Sequence, residues 1–373
     1  MNKKYEVGLV TYHKALSYGA CLQAYATAYV IENKLNCYVE FIDYENEFES
    51  RQKGWKFLFQ GSFKEITMTL IKRILFKNEK YKKRAFNQFL KYQKLSNIHS
   101  SQIQDLNNLS YDILVVGSDQ VWNPKISNGI DDVFLLNFGI AKKRISYSSS
   151  MGGYILSSQE QDYFKEALSY FDYISVREEH TRRQLDSLID KNIKLLLDPT
   201  LLISGNEWRK IVSSENIEYQ FEKNKYILAF TIGEIGEETI NAYSHFSKKL
   251  GLPIYRIMLN TYKPQGIDKV IPGATPYEFI YLIDNAKFVI TNSFHGTAFS
   301  INLNTPFVQI PVKNNNQRMS ELLNLVGLSQ QTLNDSNFDN IEMNIDFTQA
   351  NAILETKRNN DLKWLMEVFN DKK

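Results

Sequence analysis

Cysteine is nearly missing from this sequence. Its 373 residues hold only Cys21 and Cys37, neither in a CxxC pair. That excludes a disulfide scaffold, a cysteine-based zinc site and a dithiol redox pair, and it suits a reducing, cytoplasmic setting. Long apolar runs are missing too. The first, residues 7–10, is far too short for a signal-peptide core, and none approaches the ~18 residues of a membrane span. Repeats and low-complexity stretches are absent. What remains is ordinary globular composition, 43% hydrophobic and 23% charged with an aromatic surplus at 13%, in a chain long enough for two domains with real cores.

Net charge is only +2, but it is unevenly spread. Residues 51–94 carry 13 Lys or Arg against two Glu, so this stretch is +11 and the rest of the chain is −9. Trp55, Phe57, Phe59, Phe63 and a series of Ile and Leu interleave with the basic residues. Such a segment reads either as a solvated helical insertion or as a peripheral contact with an anionic membrane surface. Nucleic acid is not the expected partner, because the remainder is acidic and no binding motif accompanies the patch.

Apolar runs alternate with helical spacing along the chain. EVGLVT (6–11) leads through SYGA into a helix, and YDILVVGS (111–118), RISYSS (144–149) and FDYISVREE (171–179) follow. Pro199 in KLLLDPTLLIS closes this half. A second series has KYILAFTIG (225–233), PIYRIM (253–258), KFVITNS (287–293) and PFVQIP (306–311), with helices between and after them. The pattern predicts an α/β protein with two mostly parallel sheets. The expected bounds are 1–200, with a basic insertion at 51–95, then 201–345, then a C-terminal helix over 346–373 packing back on the rest.

Parallel sheets bind ligands at the carboxyl ends of their strands, so four polar clusters there become candidates. His13 and Gly19 follow the first strand, with Gly19 at the entrance to a helix; a loop capped by Ser17 accounts for them as well. Ser118, Asp119, Gln120 and Asn123 surround Trp122 directly after ILVV. Amide and carboxylate groups beside an aromatic face suit a sugar, and a turn with Trp122 plugged into the core fits equally. Arg177 ends the strand in SVREE, where a guanidinium can fork onto a carboxylate or phosphate. Finally, Asn292, Ser293, His295, Gly296 and Thr297 lie in ITNSFHGTAF, a strand running into a helix. The N–H groups near Gly296 and Thr297 are expected to hold an anion, with His295 beside it as general acid or base.

Read in order, TYHKALSYGACLQAYA, DILVVGSDQVWNP, SYSSSMG, ISVREE, LLDPTLL and ITNSFHGTAFSINLNTPFV resemble the polysaccharide pyruvyl transferase family over nearly residues 5–311. The resemblance implies two Rossmann-like domains of GT-B type with an active site in the interdomain cleft. It also implies transfer of the pyruvyl group of phosphoenolpyruvate to two hydroxyls of one sugar residue, which gives a cyclic ketal and phosphate. Neither cofactor nor metal is implied. The acceptor is a sugar or oligosaccharide of a surface polysaccharide, possible in lipid-linked form, with the enzyme cytoplasmic or peripheral at the inner membrane face. Family members carry Arg-Leu-His at the strand-to-helix turn. This chain keeps His295 but has Ser293 and Phe294 in place of the first two, so Arg177 and Arg318 become the candidate cations. Two other readings stay open: a GT-B glycosyltransferase using a nucleotide sugar, and a catalytically silent carbohydrate-binding paralogue.

Overall fold

Strands five or so residues long, apolar on both faces and joined through helices, can only assemble as a parallel sheet covered on both sides. A computed structural model describes residues 4–46, 79–91, 93–233, 235–312, 317–334 and 338–371 and contains two such sheets. The described residues form two compact units. The first takes the chain up to residue 46, Leu90–Leu202 and everything from Asn359; the second takes residues 79–89 and Ile203–Arg358.

In the first unit, β1 (Glu6–Val10), β2 (Tyr38–Tyr44), β3 (Leu95–Ser100), β4 (Ser110–Val116), β5 (Ile140–Ser149), β6 (Tyr173–Val176) and β7 (Ile193–Leu195) pair in the order β3-β2-β1-β4-β5-β6-β7. All pairings are parallel. Strand order therefore reverses between β1 and β4, and the crevice above their carboxyl ends is where such a sheet takes ligands. The helix after β1, Tyr18–Tyr29, starts at Ser17, whose hydroxyl accepts the Ala20 N–H. Trp122, Phe164 and Phe171 pack edge to face in the core. Cys21 and Cys37 are buried free thiols, and burial pushes Cys21 up to about 12.

The second unit repeats the plan with β8 (Ile227–Phe230), β9 (Ile254–Met258), β10 (Lys269–Pro272), β11 (Phe288–Thr291) and β12 (Phe307–Gln309), ordered β10-β9-β8-β11-β12 and parallel throughout. Its reversal falls between β8 and β11. The helices Gly205–Ser213 and Pro276–Asn285 each begin with a capping box, Ser204 with Glu207 and Thr275 with Glu278.

Two boundaries differ from the sequence expectation. Helix Glu79–Leu90, part of the basic insertion, belongs to the second unit up to Phe89 rather than to the first. Arg84 explains this: it forks onto Glu278 at 3.0 and 3.1 Å, bonds Glu218 at 2.9 Å and stacks over Tyr219, while Phe89 packs on Tyr277. The C-terminal helix, Thr348–Asn370, is divided, its residues from Asn359 onward belonging to the first unit. There Asp361 accepts the Leu197 N–H at 2.7 Å, and Lys143 donates to the Val368 and Asp371 carbonyls at 2.6 and 2.8 Å. Residues 51–78, which carry most of the expected membrane contact, lie outside the described residues. Among the described residues no helix is long and apolar enough to cross a membrane.

Candidate functional site

The first unit's ligand edge is organised around Thr11, one residue past β1. Its hydroxyl donates to the Ser118 carbonyl at 3.2 Å and accepts from Gln23 Nε2 at 2.9 Å, which ties the β1 turn to the β4 turn. The Thr11 carbonyl lies 3.1 Å from His13 Nδ1. A carbonyl only accepts, so Nδ1 carries the proton and Nε2 keeps its lone pair. His13 is 1% exposed, and burial drops its pKa to about 4, so the ring is neutral near pH 7. Its Nε2, with Gln23 Oε1 and the Ser118 hydroxyl, is buried without a protein partner. Three unsatisfied polar atoms gathered about one threonine are unusual in a folded chain and fit a hydroxyl-rich ligand.

The rest of that cluster is used internally. Trp122 is the correction: it is 2% exposed, donates from Nε1 to the Phe134 carbonyl at 2.9 Å, and shows no face to a sugar. Asn123 caps the short helix Pro124–Ser127 and is held by Gln120 at 2.8 Å. Asp119 accepts its neighbour's N–H and remains partly exposed. Gly19 sits in the first turn of its helix, half-buried. Arg177 also differs from expectation. Its guanidinium is 3% exposed and bonds Asp198 at 2.6 Å and Glu178 at 3.1 Å, with Asp119 3.8 Å away. Burial opposes its charge, but the three carboxylates prevail and hold its pKa above the ordinary arginine value. Such an arginine braces its own unit, and little positive field is left for a ligand.

At the second unit's edge, β11 ends in Thr291 and Ser293 caps helix Phe294–Asn302. The expected anion donors are occupied: the Gly296 N–H points at Ser293 Oγ at 3.5 Å and the Thr297 N–H closes the first turn on the Ser293 carbonyl at 3.0 Å. Glycine is required at 296 for another reason, since a Cβ there would lie 2.2 Å from Thr291 Oγ1. Asn292 is likewise committed, its amide accepting the Ile232 N–H at 2.7 Å and donating to the Ile232 carbonyl at 2.9 Å. This clamp joins the turns after β8 and β11. His295 is 8% exposed, and the Thr297 hydroxyl is buried with no protein partner. The Phe294 ring stands edge-on to His295 at 5.2 Å and carries the Arg318 guanidinium over it at 5.7 Å. Phe294 thus brings a cation to within one ring of the histidine.

Sequence reasoning missed Gln23 and Arg256. The last had a signal: Arg256 is the lone charge in the apolar strand IYRIM. Among the described residues no group of three or more His, Cys, Asp or Glu is arranged to hold a metal ion.

Paired parallel sheets, each with polar groups gathered at its reversal point, define a two-domain, Rossmann-like protein of GT-B type. Solved structures agree at the level of the fold. UDP-N-acetylglucosamine 2-epimerase from Rickettsia bellii is similar with a TM-score of 0.51 and 10% identity over 98% of this chain and 95% of that one. The Neisseria meningitidis UDP-GlcNAc 2-epimerase bound to UDP-GlcNAc has a TM-score of 0.50 and 12% identity over 98% and 99%. Arabidopsis thaliana UGT89C1 complexed with UDP-L-rhamnose has a TM-score of 0.50 and 10% identity over 98% and 99%. No curated protein sequence matches. The chain belongs to the polysaccharide pyruvyl transferase family, whose model matches residues 18–314.

Proposed function

We propose that this chain transfers the pyruvyl group of phosphoenolpyruvate to two hydroxyls of one sugar residue of a surface polysaccharide or its precursor, forming a cyclic ketal and releasing phosphate. The observation that carries the reading is the buried His295 in the first turn of helix Phe294–Asn302, with the unpartnered Thr297 hydroxyl two residues on and a cation stacked on the adjacent Phe294. Protonation of the enol at C3 develops positive charge at C2. A sugar hydroxyl then bonds to C2 and loses its proton; the C2–O bond to phosphate breaks, and the second hydroxyl closes the ring with loss of its own proton. One titratable group near neutrality is needed to move these protons, and histidine is the natural choice. His13 Nε2, held as an acceptor by its Thr11 contact, suits a sugar hydroxyl.

The test is phosphate release from phosphoenolpyruvate in the presence of candidate oligosaccharides, with mass spectrometry to detect the pyruvyl ketal. His295→Gln should keep the fold and lose roughly 100- to 10,000-fold in turnover, the range of a general acid or base. Near wild-type turnover in a folded variant would assign the proton transfer to another group.

A further inference from the structure

Arg256 is a buried cation that its own fold leaves without a counter-ion. It lies on β9 opposite Ala229 of β8 and is 5% exposed. One guanidinium nitrogen, Nη2, donates to the Thr231 carbonyl at 3.0 Å, while Nε is buried with no hydrogen-bond partner. No carboxylate of the described residues reaches it. Two other arginines of this unit, by contrast, are matched: Arg84 by Glu278 and Glu218, Arg209 by Asp284. Burial holds the Arg256 pKa below the ordinary arginine value, opposed only by the Tyr243 phenol. An unmatched charge at this depth is costly unless an anion joins it.

Its place in the fold is the ligand edge. Thr231 follows β8 at the strand-order reversal, and its hydroxyl is held by Tyr243 at 2.8 Å. The next residue, Ile232, is the one clamped by Asn292, immediately before the cap residue Ser293. Gly233 follows with φ +82° and open space where a Cβ would stand, so ligand can approach the backbone. Glu237 and Glu238 occupy the first turn of the following helix and disfavour an anion at its N-terminus, so the charge must come from the guanidinium.

We propose that Arg256 grips the anionic end of the donor in the second unit, a phosphate or carboxylate group, in place of the arginine missing at Ser293. The assignment of that donor as phosphoenolpyruvate rests on the pyruvyl-transfer reading. Calorimetric titration of phosphoenolpyruvate, inorganic phosphate and UDP-GlcNAc into wild type, Arg256→Met and Arg256→Lys, each with its melting temperature, tests both. Arg256→Met should melt at or above wild type, because an apolar chain of similar length replaces an unmatched charge, and should bind phosphoenolpyruvate at least tenfold more weakly. Arg256→Lys should fold and fall between. Binding of phosphoenolpyruvate that ignores both substitutions would overturn the role of Arg256 and leave pyruvyl transfer standing. Arg256-dependent binding of UDP-GlcNAc, with none of phosphoenolpyruvate, would uphold the anion grip and overturn pyruvyl transfer. A wild type that binds none of the three overturns the proposal.

Discussion

Replacing Arg177 by methionine separates a brace from a substrate clamp. The guanidinium stands between Asp198, at 2.6 Å, and Glu178, at 3.1 Å, both buried. Each carboxylate has other donors: Asp198 accepts the Thr200 N–H and hydroxyl, and Glu178 accepts the Ser150 hydroxyl at 2.6 Å. Those bonds orient the carboxylates but do not neutralise them. Removing the cation from a buried pair costs about 3–5 kcal/mol, because the abandoned charge stays in a poor solvent. For a unit of this size that corresponds to a fall in melting temperature of roughly 10 °C. Urea denaturation and calorimetry should show the loss, and the deficit should narrow as pH falls, since protonating the abandoned carboxylates removes their charge. Arg177→Lys should lose less, one cation remaining without the fork. A folded Arg177→Met of wild-type stability, with a raised Michaelis constant for phosphoenolpyruvate alone, would refute this and make Arg177 the donor clamp.

Two further outcomes follow from the same geometry. His13, neutral in the fold with its pKa held to about 4 by burial, takes up its proton more readily once unfolded, near 6.5. Its contribution is therefore fully present above pH 6.5 and is lost as pH falls toward 4, by at most roughly 3 kcal/mol at 1.36 kcal/mol per pKa unit. The stability difference between wild type and His13→Gln should change across pH 4.5–7; a difference independent of pH would show that the ring is solvated. Gly296→Ala forces a methyl to within 2.2 Å of Thr291 Oγ1, and a clash of that kind in a packed site costs about 1–3 kcal/mol. Thermal melting should register it, and an unchanged melting temperature would mean that the helix lies further from β11.

Central strands were legible in the sequence because they are apolar on both faces: EVGLV, YDILVV, ILAF and FVIT all became β1, β4, β8 and β11. The edge strand PFVQIP, apolar throughout, became β12, but two other edge strands were not legible. Leu95–Ser100 and Lys269–Pro272 each have a solvated side, so their composition is half polar and their spacing resembles a loop. Helix Gly205–Ser213 is mostly polar around Trp208, and its only clear sequence signal is Ser204 and Glu207 at capping-box spacing. Trp122 illustrates a harder ambiguity. Its neighbours Ser118, Asp119 and Asn123 suited a sugar platform and a core plug equally, and the ring's burial depends on Phe164 and Phe171, more than forty residues away.

The two arginines show where a motif stops being informative. Arg177 has the family context, a strand end at the ligand edge followed by a helix, while Arg256 has none. A cation's use is set by its counter-ions, and those come from elsewhere in the chain: Asp198 twenty-one residues beyond Arg177, and nothing among the described residues for Arg256. In a low-dielectric setting the three carboxylates around Arg177 cancel its field close by, so a second anion arriving there would meet net negative charge. The same setting leaves the field of Arg256 uncancelled. Of two arginines near the carboxyl ends of parallel strands, the one better prepared to attract an anion is the one whose fold supplies no acid.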